Sequence, residues 1–189
     1  MDSDLSTADP LNVSFRSHLR LVEVHDAEFI CSLRSDTHLN KFLNTSVESV
    51  AKQVQWIEAY KKRELSGLEY YFVIGSSGKN YGVIRMYDFR VPENSFCWGS
   101  WIILPSRPDG LVTFSALMIY ELGFDFMGFS RSHFDVRKGN ENVVSFHKRS
   151  GARIVGEDDE NFYFNFERDD YKVFLEKNKE KLKIHRALV

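Results

Sequence analysis

The chain has 189 residues, a hydrophobic fraction of 43%, a charged fraction of 28% and a formal net charge of -2 at pH 7. This length and these proportions predict one globular domain with short extensions and a sizeable hydrophobic core. The slightly acidic balance excludes binding to nucleic acid through bulk positive charge, so we expect no nucleic-acid partner.

The predicted elements follow one another in the order β-α-α-β-β-β-α-β-α-β-β. Apolar residues that recur at every second position indicate strands, and those that recur at every third or fourth position indicate helices. The predicted strands cover 19–24, 70–74, 81–89, 96–104, 132–136, 152–156 and 161–167. The predicted helices cover 26–33, 47–64, 111–126 and 140–150. Short polar turns between three successive strands predict an antiparallel meander, and the whole order predicts an α+β fold whose mixed sheet of about seven strands has helices on both faces.

The two ends of the chain differ from this predicted domain, which we place at residues 18–168. Residues 1–17 are polar and acidic, which predicts a flexible lead, and they lack the basic and apolar segments of a secretory signal. Residues 169–189 are highly charged with a weak helical period, which predicts a charged helical extension. Because no window reaches the roughly 18 apolar residues of a membrane span, we expect a cytoplasmic protein.

The cysteines give no sign of a disulfide framework or a metal site. Cys31 and Cys97 are far apart in sequence and lack the CxxC spacing of a zinc site. Free cysteine is among the most often buried residue types, so we expect two buried thiols and no bound metal.

One stretch combines a strand, a sharp turn and a helix in a way that suits phosphate binding. The predicted strand over 96–104 runs into the turn from Pro105 to Gly110, and the helix after it is apolar nearly all round. Such a helix is expected to be buried against the sheet. Its first N–H groups have no partner inside the helix and lie at the positive end of the helix dipole, so this junction is a candidate phosphate site.

Two local sequences, together with the order of the elements, resemble the GNAT superfamily of acyl-CoA N-acetyltransferases over about residues 19–168. The segment RPDGLV, from Arg107 to Val112, resembles the superfamily's pyrophosphate loop, with Val112 where a small residue is usual. The segment NENVVSFHKRSGA, which starts at Asn140, resembles the superfamily's later helix, in which a Tyr commonly lies seven residues after the Asn. His147 occupies that Tyr position here.

The resemblance implies acetyl-CoA as co-substrate and direct transfer of its acetyl group to an amine. It implies that the backbone of the strand before the loop, centred on Ile102, supplies the N–H donor for the thioester carbonyl if the neighbouring strand splays away. The alternative is an ordinary strand paired on both sides. The residues implied to bind the cofactor are Trp101, Ile102, Ile103, Arg107, Pro108, Asp109, Gly110, Leu111, Val112, Asn140 and Phe146.

His147 is the leading candidate for the group that protonates the departing sulfur. It shares a helix face with Asn140 and Val143, so it faces the cofactor if Asn140 does. With a reference pKa of about 6.5, an imidazole can donate an N–H in either form and populates the acidic cation. The alternative is a surface histidine near the C-terminal end of its helix, where the dipole favours a cation.

The general base is left open. Asp88 and Glu93 are the nearest carboxylates to the predicted cofactor strand, and either could act through water. A solvated surface carboxylate is the alternative for each.

The amine is expected to bind between the first two helices and the ends of the central strands. The candidate residues there are Arg34, Arg85, Tyr87 and Trp98. Arginine matches the geometry of phosphates, and aromatic rings suit a base or a sugar. Core packing is the alternative for Trp98 and Trp101.

Three short segments carry a finer resemblance: FHK from Phe146, followed by GA at Gly151; GVIR from Gly82; and WGSW from Trp98. With them the chain most resembles enzymes of bacterial surface-polysaccharide (O-antigen) pathways, which acetylate an amino group on a nucleotide-linked deoxysugar. That resemblance implies a small-molecule partner, a nucleotide-linked amino sugar, and we expect a monomer or homodimer. Two alternatives remain at this stage. One is acetylation of a protein N-terminus, as in relatives that modify ribosomal proteins, and the other is an acyl-CoA-binding module without catalysis.

Overall fold

The computed structural model describes residues 18–42 and 49–187, with side chains described up to residue 180. The predicted lead at 1–17 and the predicted start of the second helix at residue 47 lie outside the described residues. Within those residues, no helix is both long enough and apolar enough to cross a membrane.

Seven strands form one mixed sheet in the order β1-β2-β3-β4-β5-β7-β6. The strands are β1 Leu19–Leu21, β2 Tyr70–Ser76, β3 Lys79–Arg90, β4 Ser95–Ile103, β5 Arg131–Arg137, β6 Arg153–Glu157 and β7 Asn161–Glu167. Neighbouring strands are antiparallel except β4 and β5, which are parallel. The predicted α+β fold and its antiparallel meander, β2 to β4, are confirmed.

Helices cover both faces of this sheet. They are α1 Ala27–Ser35, α2 Val50–Leu65, α3 Leu111–Glu121, α4 Glu141–Ser150 and α5 Arg168–Ala187. A smaller core lies between α1, α2 and the sheet, with Ile57 and Tyr60 at its centre. The main core lies on the other face, where α3 is buried around Leu117 and Tyr120. The nearly uniform apolar character of α3 is explained by this burial.

Two elements differ from their predicted form, one in length and one in helix type. The first strand stops at Leu21, and a 3-10 turn follows at Val24–Asp26. The buried carboxylate of Asp26 holds that turn, because it accepts hydrogen bonds from Arg20 Nη1 at 2.7 Å and from the Glu23 N–H at 2.9 Å. The long helix changes from α to π after Glu121, over Leu122–Phe126.

Whether a helical side chain is buried depends on which face of its helix meets the core, as Cys31 and the C-terminal helix show. Cys97 is buried as predicted, but Cys31 is only half-buried. On α1 it is Ile30 and Leu33 that face the core, and Cys31 is turned away from it. At the other end of the chain, the first two turns of α5 bury Tyr171 and Phe174 in the main core.

Candidate active site

The centre of the sheet opens where β4 and β5 separate. These two strands pair only through Ser95 with Arg131 and Phe96 with Ser132. On its other side β4 stays paired with β3 as far as Ile103. Beyond Phe96, therefore, the edge of β4 that faces β5 has backbone groups that no described strand pairs with. The splay expected from the resemblance is present.

A bulge in β4 decides which backbone groups point into this opening. Ser100 has a φ of 47°, and the register with β3 shifts at that point. Past the bulge, the Leu104 N–H donates to the Tyr81 carbonyl on the β3 side at 2.7 Å. Hydrogen-bonded pairs recur at every second residue of an antiparallel ladder, so the Ile102 N–H also points towards β3. By this alternation Ile102 is not the residue whose N–H faces the opening, which corrects the expectation for it, and we infer that its neighbours Trp101 and Ile103 direct their N–H groups there.

A cavity of about 610 Å³ lies over this opening. It brings together all four residues predicted for the amine and three predicted for catalysis or cofactor binding. These are Arg34, Arg85, Tyr87, Trp98, Trp101, Asn140 and His147. The cavity also has polar lining residues that the sequence did not single out: Gln53, Ser100, Asp135, Arg137 and Asn161.

The predicted pyrophosphate loop lies outside that cavity, at the start of α3. Gly110 precedes the helix with a φ of 83°, in the left-handed region that glycine adopts without strain. Arg107 is exposed at the surface. The arrangement fits a diphosphate, because the first turn of α3 presents N–H groups at the positive end of a buried helix.

A short hydrogen-bond chain ties this loop to the opening. The Trp101 indole Nε1 donates to Ser115 Oγ at 3.2 Å, and the Ser115 hydroxyl donates to the Val112 carbonyl at 3.0 Å. Phe146 does not line the cavity but packs on the Trp101 ring, with centroids 5.2 Å apart. Trp101 is thus held between α3 and α4.

His147 is buried. This corrects the expectation that its cation is populated and also the alternative that it lies at the surface. Its side chain is only 3% exposed, and aromatic rings surround it, among them Phe134 at 4.3 Å and Trp98 at 5.4 Å between centroids. Burial without a charged partner lowers the pKa of the imidazole to about 3. The histidine is therefore neutral near pH 7 and is neither a populated cation nor a surface group. Its Nδ1 has no hydrogen-bond partner.

Arg85 enters the cavity from β3 and is held by a buried carboxylate. Glu69, 3% exposed, binds both Arg85 and Arg63. The Arg85 guanidinium also lies over the rings of Trp56 and Tyr87, at 5.3 and 4.9 Å from their centroids. One carboxylate between two guanidinium groups leaves a net positive charge beside the cavity. Burial lowers the pKa of Arg85.

Neither carboxylate considered for the base lies in the cavity. Asp88 accepts hydrogen bonds from Arg90 and shares one with His133 Nε2 at 3.0 Å. Those bonds, with the Arg90 bond first, lower the pKa of Asp88. Glu93 lies exposed in the turn between β3 and β4. Asp135 on β5 is the carboxylate among the cavity's lining residues.

The family profile of the acetyltransferase (GNAT) domain matches residues 16–153. The chain therefore belongs to the GNAT acetyltransferases, enzymes that take the acetyl group from acetyl-CoA. It is similar to FdhC, a nucleotide-linked sugar GNAT, with 45% identity and a TM-score of 0.77 over 90% of this chain and 94% of that one.

More distant structures share the fold. A spermidine N-acetyltransferase from Vibrio cholerae, in complex with CoA and spermine, has 17% identity and a TM-score of 0.70 over 82% of this chain and 96% of that one. A ribosomal-protein-S5-alanine acetyltransferase from Vibrio fischeri has 16% identity and a TM-score of 0.70 over 81% of this chain and 93% of that one. No curated protein sequence matches the chain.

Proposed function

We propose that the protein transfers the acetyl group of acetyl-CoA to the amino group of a nucleotide-linked amino sugar. The observation that carries this proposal is the 45% identity to a nucleotide-linked sugar GNAT over 90% of the chain. The match spans 94% of that chain as well, so it is not confined to one segment of the domain.

The cavity supports the same substrate. Its volume of about 610 Å³ is within the range of sites that enclose a whole small molecule. Three arginines line it, Arg34, Arg85 and Arg137, and the guanidinium fork matches phosphate oxygens. The rings of Trp56 and Tyr87 offer apolar surface for a base or a sugar.

Acetylation of a peptide N-terminus is less well supported. A peptide amine favours an open acidic groove, whereas Asp135 is the one carboxylate among the residues that line this cavity. A module that binds acyl-CoA without catalysis would not need an amine site beside the splayed strands.

The residues of the site divide the work of the transfer. In the proposed arrangement, the N–H groups of Trp101 and Ile103 hold the thioester carbonyl and stabilise the negative charge that develops on it, and each such donor contributes about 3–4 kcal/mol in other enzymes. The turn at Gly110 holds the diphosphate of CoA. His147 donates a hydrogen bond to the departing sulfur as a neutral imidazole. The acceptor lies over Arg85 and Tyr87.

The proposed substrate also indicates the pathway in which the reaction would act. An acetamido sugar linked to a nucleotide is a building block for glycosyl transfer, so we extend the proposal to surface-polysaccharide biosynthesis.

Mass spectrometry of a panel of nucleotide-linked amino sugars, each incubated with the protein and acetyl-CoA, tests the proposal. We expect a mass gain of one acetyl group on at least one sugar and none on the matched sugars that carry a hydroxyl in place of the amine. Peptides with free N-termini form the comparison set. Acetylation of the peptides alone would contradict the proposal, and acetyl-CoA binding without acetylation of any amine would indicate the binding module.

A further inference from the structure

Three residues on neighbouring strands form a row across the floor of the cavity, here called the acceptor row. Arg85 on β3 is paired with Gly99 on β4. Continuing the parallel register from Phe96 and Ser132 by three residues brings Asp135 on β5 to the level of Gly99. All three line the cavity.

The side chains of the row share one face of the sheet. Paired residues in adjacent strands point to the same side, and side chains alternate along each strand. Phe134 and Val136 are buried in the main core, so Asp135 between them points to the opposite face, where it is exposed to the cavity. Arg85 lies on that face too, against Trp56 of α2. Asp135 and Arg85 therefore reach the cavity from the same side.

Gly99 lets the Tyr87 hydroxyl come close to the middle of the row. A Cβ atom at that position would lie 3.0 Å from the Tyr87 hydroxyl oxygen. Strands are about 4.8 Å apart, so the Cα atoms of Arg85 and Asp135 are separated by about 10 Å, and by more where β4 and β5 diverge. The row therefore has a positive charge at one end, a negative charge at the other and the Tyr87 hydroxyl, a neutral hydrogen-bonding group, between them.

We propose that Asp135 is a catalytic residue that binds the ammonium group of the acceptor and takes its proton. The inference rests on the proposed function and adds the orientation of the substrate. The amine lies at Asp135, next to the Trp101 N–H two residues beyond Gly99 on β4. The sugar ring lies against the Tyr87 side chain, and the phosphates extend towards Arg85 and Arg34.

The proton balance of the transfer follows from this placement. An ammonium group has no lone pair, so it must lose one proton before it attacks. The Asp135 carboxylate accepts that proton and passes it to water at the open side of the cavity. The nitrogen then forms the N–C bond as the C–S bond breaks, and the second proton leaves the nitrogen for the sulfur, which departs as the thiol.

The titratable groups around Asp135 do not compete for this role. The Tyr87 phenol on β3, the Cys97 thiol on β4 and the Tyr163 phenol on β7 surround it. Burial raises the pKa of Tyr87 and brings the pKa of Cys97 to about 12, while the hydrogen bond to Asp158 raises the pKa of Tyr163. All three are neutral near pH 7.

The other charged neighbours have partners of their own. His133, two residues earlier on β5, lies between Ser95 Oγ at 2.9 Å and Asp88 at 3.0 Å. Among the cavity cations, Arg85 is bound to Glu69 and Arg137 to Glu160. Asp135 is thus the group in the cavity that can take up an ammonium ion.

The test measures kcat across pH for wild type, Asp135→Asn and the control variant Asp88→Asn. The substrates are acetyl-CoA and a nucleotide-linked amino sugar. The amide keeps the size of Asp135 but accepts no proton, so we expect kcat to fall about 100-fold or more near pH 6.5. The loss should shrink by about tenfold per pH unit as the free amine becomes populated, with acetyl-CoA affinity unchanged. Asp88→Asn also removes a carboxylate, one that contacts His133, but it lies outside the cavity. It should therefore retain wild-type rates and pH dependence.

Several results would overturn the assignment. One is that Asp135→Asn keeps the rate and the pH profile of wild type. Another is that Asp88→Asn loses as much kcat as Asp135→Asn does. A wild-type enzyme that acetylates no nucleotide-linked amino sugar would instead overturn the proposed function. Calorimetry tests Asp135 without relying on turnover: wild type should bind the amino sugar nucleotide at least tenfold more tightly than its hydroxyl counterpart, and Asp135→Asn should lose that preference. Equal preference in both proteins would also refute the role.

Discussion

His147 shows how burial changes the chemistry of one residue. Its position in α4 was identified from the sequence through the resemblance, but its charge was not. Water is excluded from the imidazole by the rings of Trp98, Phe134 and Phe164 on other elements and by that of the preceding residue, Phe146. Their packing appears only in the folded sheet. A neutral, buried imidazole donates a hydrogen bond but is a weak proton donor.

The low pKa of His147 predicts a loss of stability in acid. The imidazole has a pKa of about 3 in the folded protein, against a reference value of about 6.5 in the unfolded chain. Between these values the unfolded state binds one more proton, so the free energy of unfolding falls as the pH falls, by about 1.4 kcal/mol per pH unit from this group. Urea unfolding of wild type and His147→Phe at several pH values should show the steeper slope in wild type.

A surface histidine provides the control for that measurement. His38 is exposed, so His38→Gln should leave the wild-type slope unchanged. In His147→Phe we also expect turnover to fall about tenfold or more at an unchanged affinity for acetyl-CoA, because the N–H donor is lost. Parallel stability curves for wild type and His147→Phe would show that the imidazole binds protons equally in the folded and unfolded states, which contradicts a buried, neutral histidine.

Asp135 was missed for a related reason. The alternation of apolar residues over 132–136 puts Asp135 opposite Phe134 and Val136, and this much can be predicted from the sequence. That the opposite face becomes a cavity depends on the separation of β4 and β5 and on the position of α2. Neither has a local signature in the chain.

At the scale of elements, the order of strands and helices could be predicted because each has a clear apolar period. The details that build the site could not. Ser100 lies at a positive φ in the middle of an apolar strand. The preceding Gly99 is compatible with a bulge but does not indicate which residue takes the positive φ. That bulge decides whether Ile102 or its neighbours face the opening between β4 and β5.

The start of α3 gives a prediction at this scale. Gly110 has a φ of 83°, so both Gly110→Ala and Gly110→Glu carry the left-handed strain of about 1–2 kcal/mol. Glutamate alone adds a negative charge where the diphosphate of CoA is expected to bind. We expect calorimetry to show acetyl-CoA affinity at least about tenfold weaker in the glutamate variant than in the alanine variant, a difference of about 1.4 kcal/mol.

The alanine variant separates this effect from helix damage. Thermal unfolding should give similar midpoints for the two variants, because they share the backbone strain. Equal affinities for acetyl-CoA in the two would mean that the phosphates do not bind at the start of α3.

At the scale of the whole molecule, the sheet separates two cores, and the cavity lies where its central strands part. The start of the C-terminal helix packs against the main core. Tyr171 is 2% exposed, its ring lies 5.3 Å from that of Phe124, and its hydroxyl donates to Asp125 at 3.1 Å. The charged composition of residues 169–189 hid this contribution, since a few buried side chains among many lysines and glutamates give only a weak period.

We propose that α5 is part of the folding unit, and Tyr171 tests this. Removal of a large buried ring costs about 3–5 kcal/mol, so Tyr171→Ala should lower the free energy of unfolding in urea by that amount. Tyr171→Phe keeps the buried ring but loses the hydrogen bond to Asp125, and it should cost about 1 kcal/mol. Val173 lies on the same helix with 54% exposure, and Val173→Ala should change the stability by less than about 0.5 kcal/mol. If Tyr171→Ala were as mild as Val173→Ala, the helix would be an appendage, and the main core would close without it.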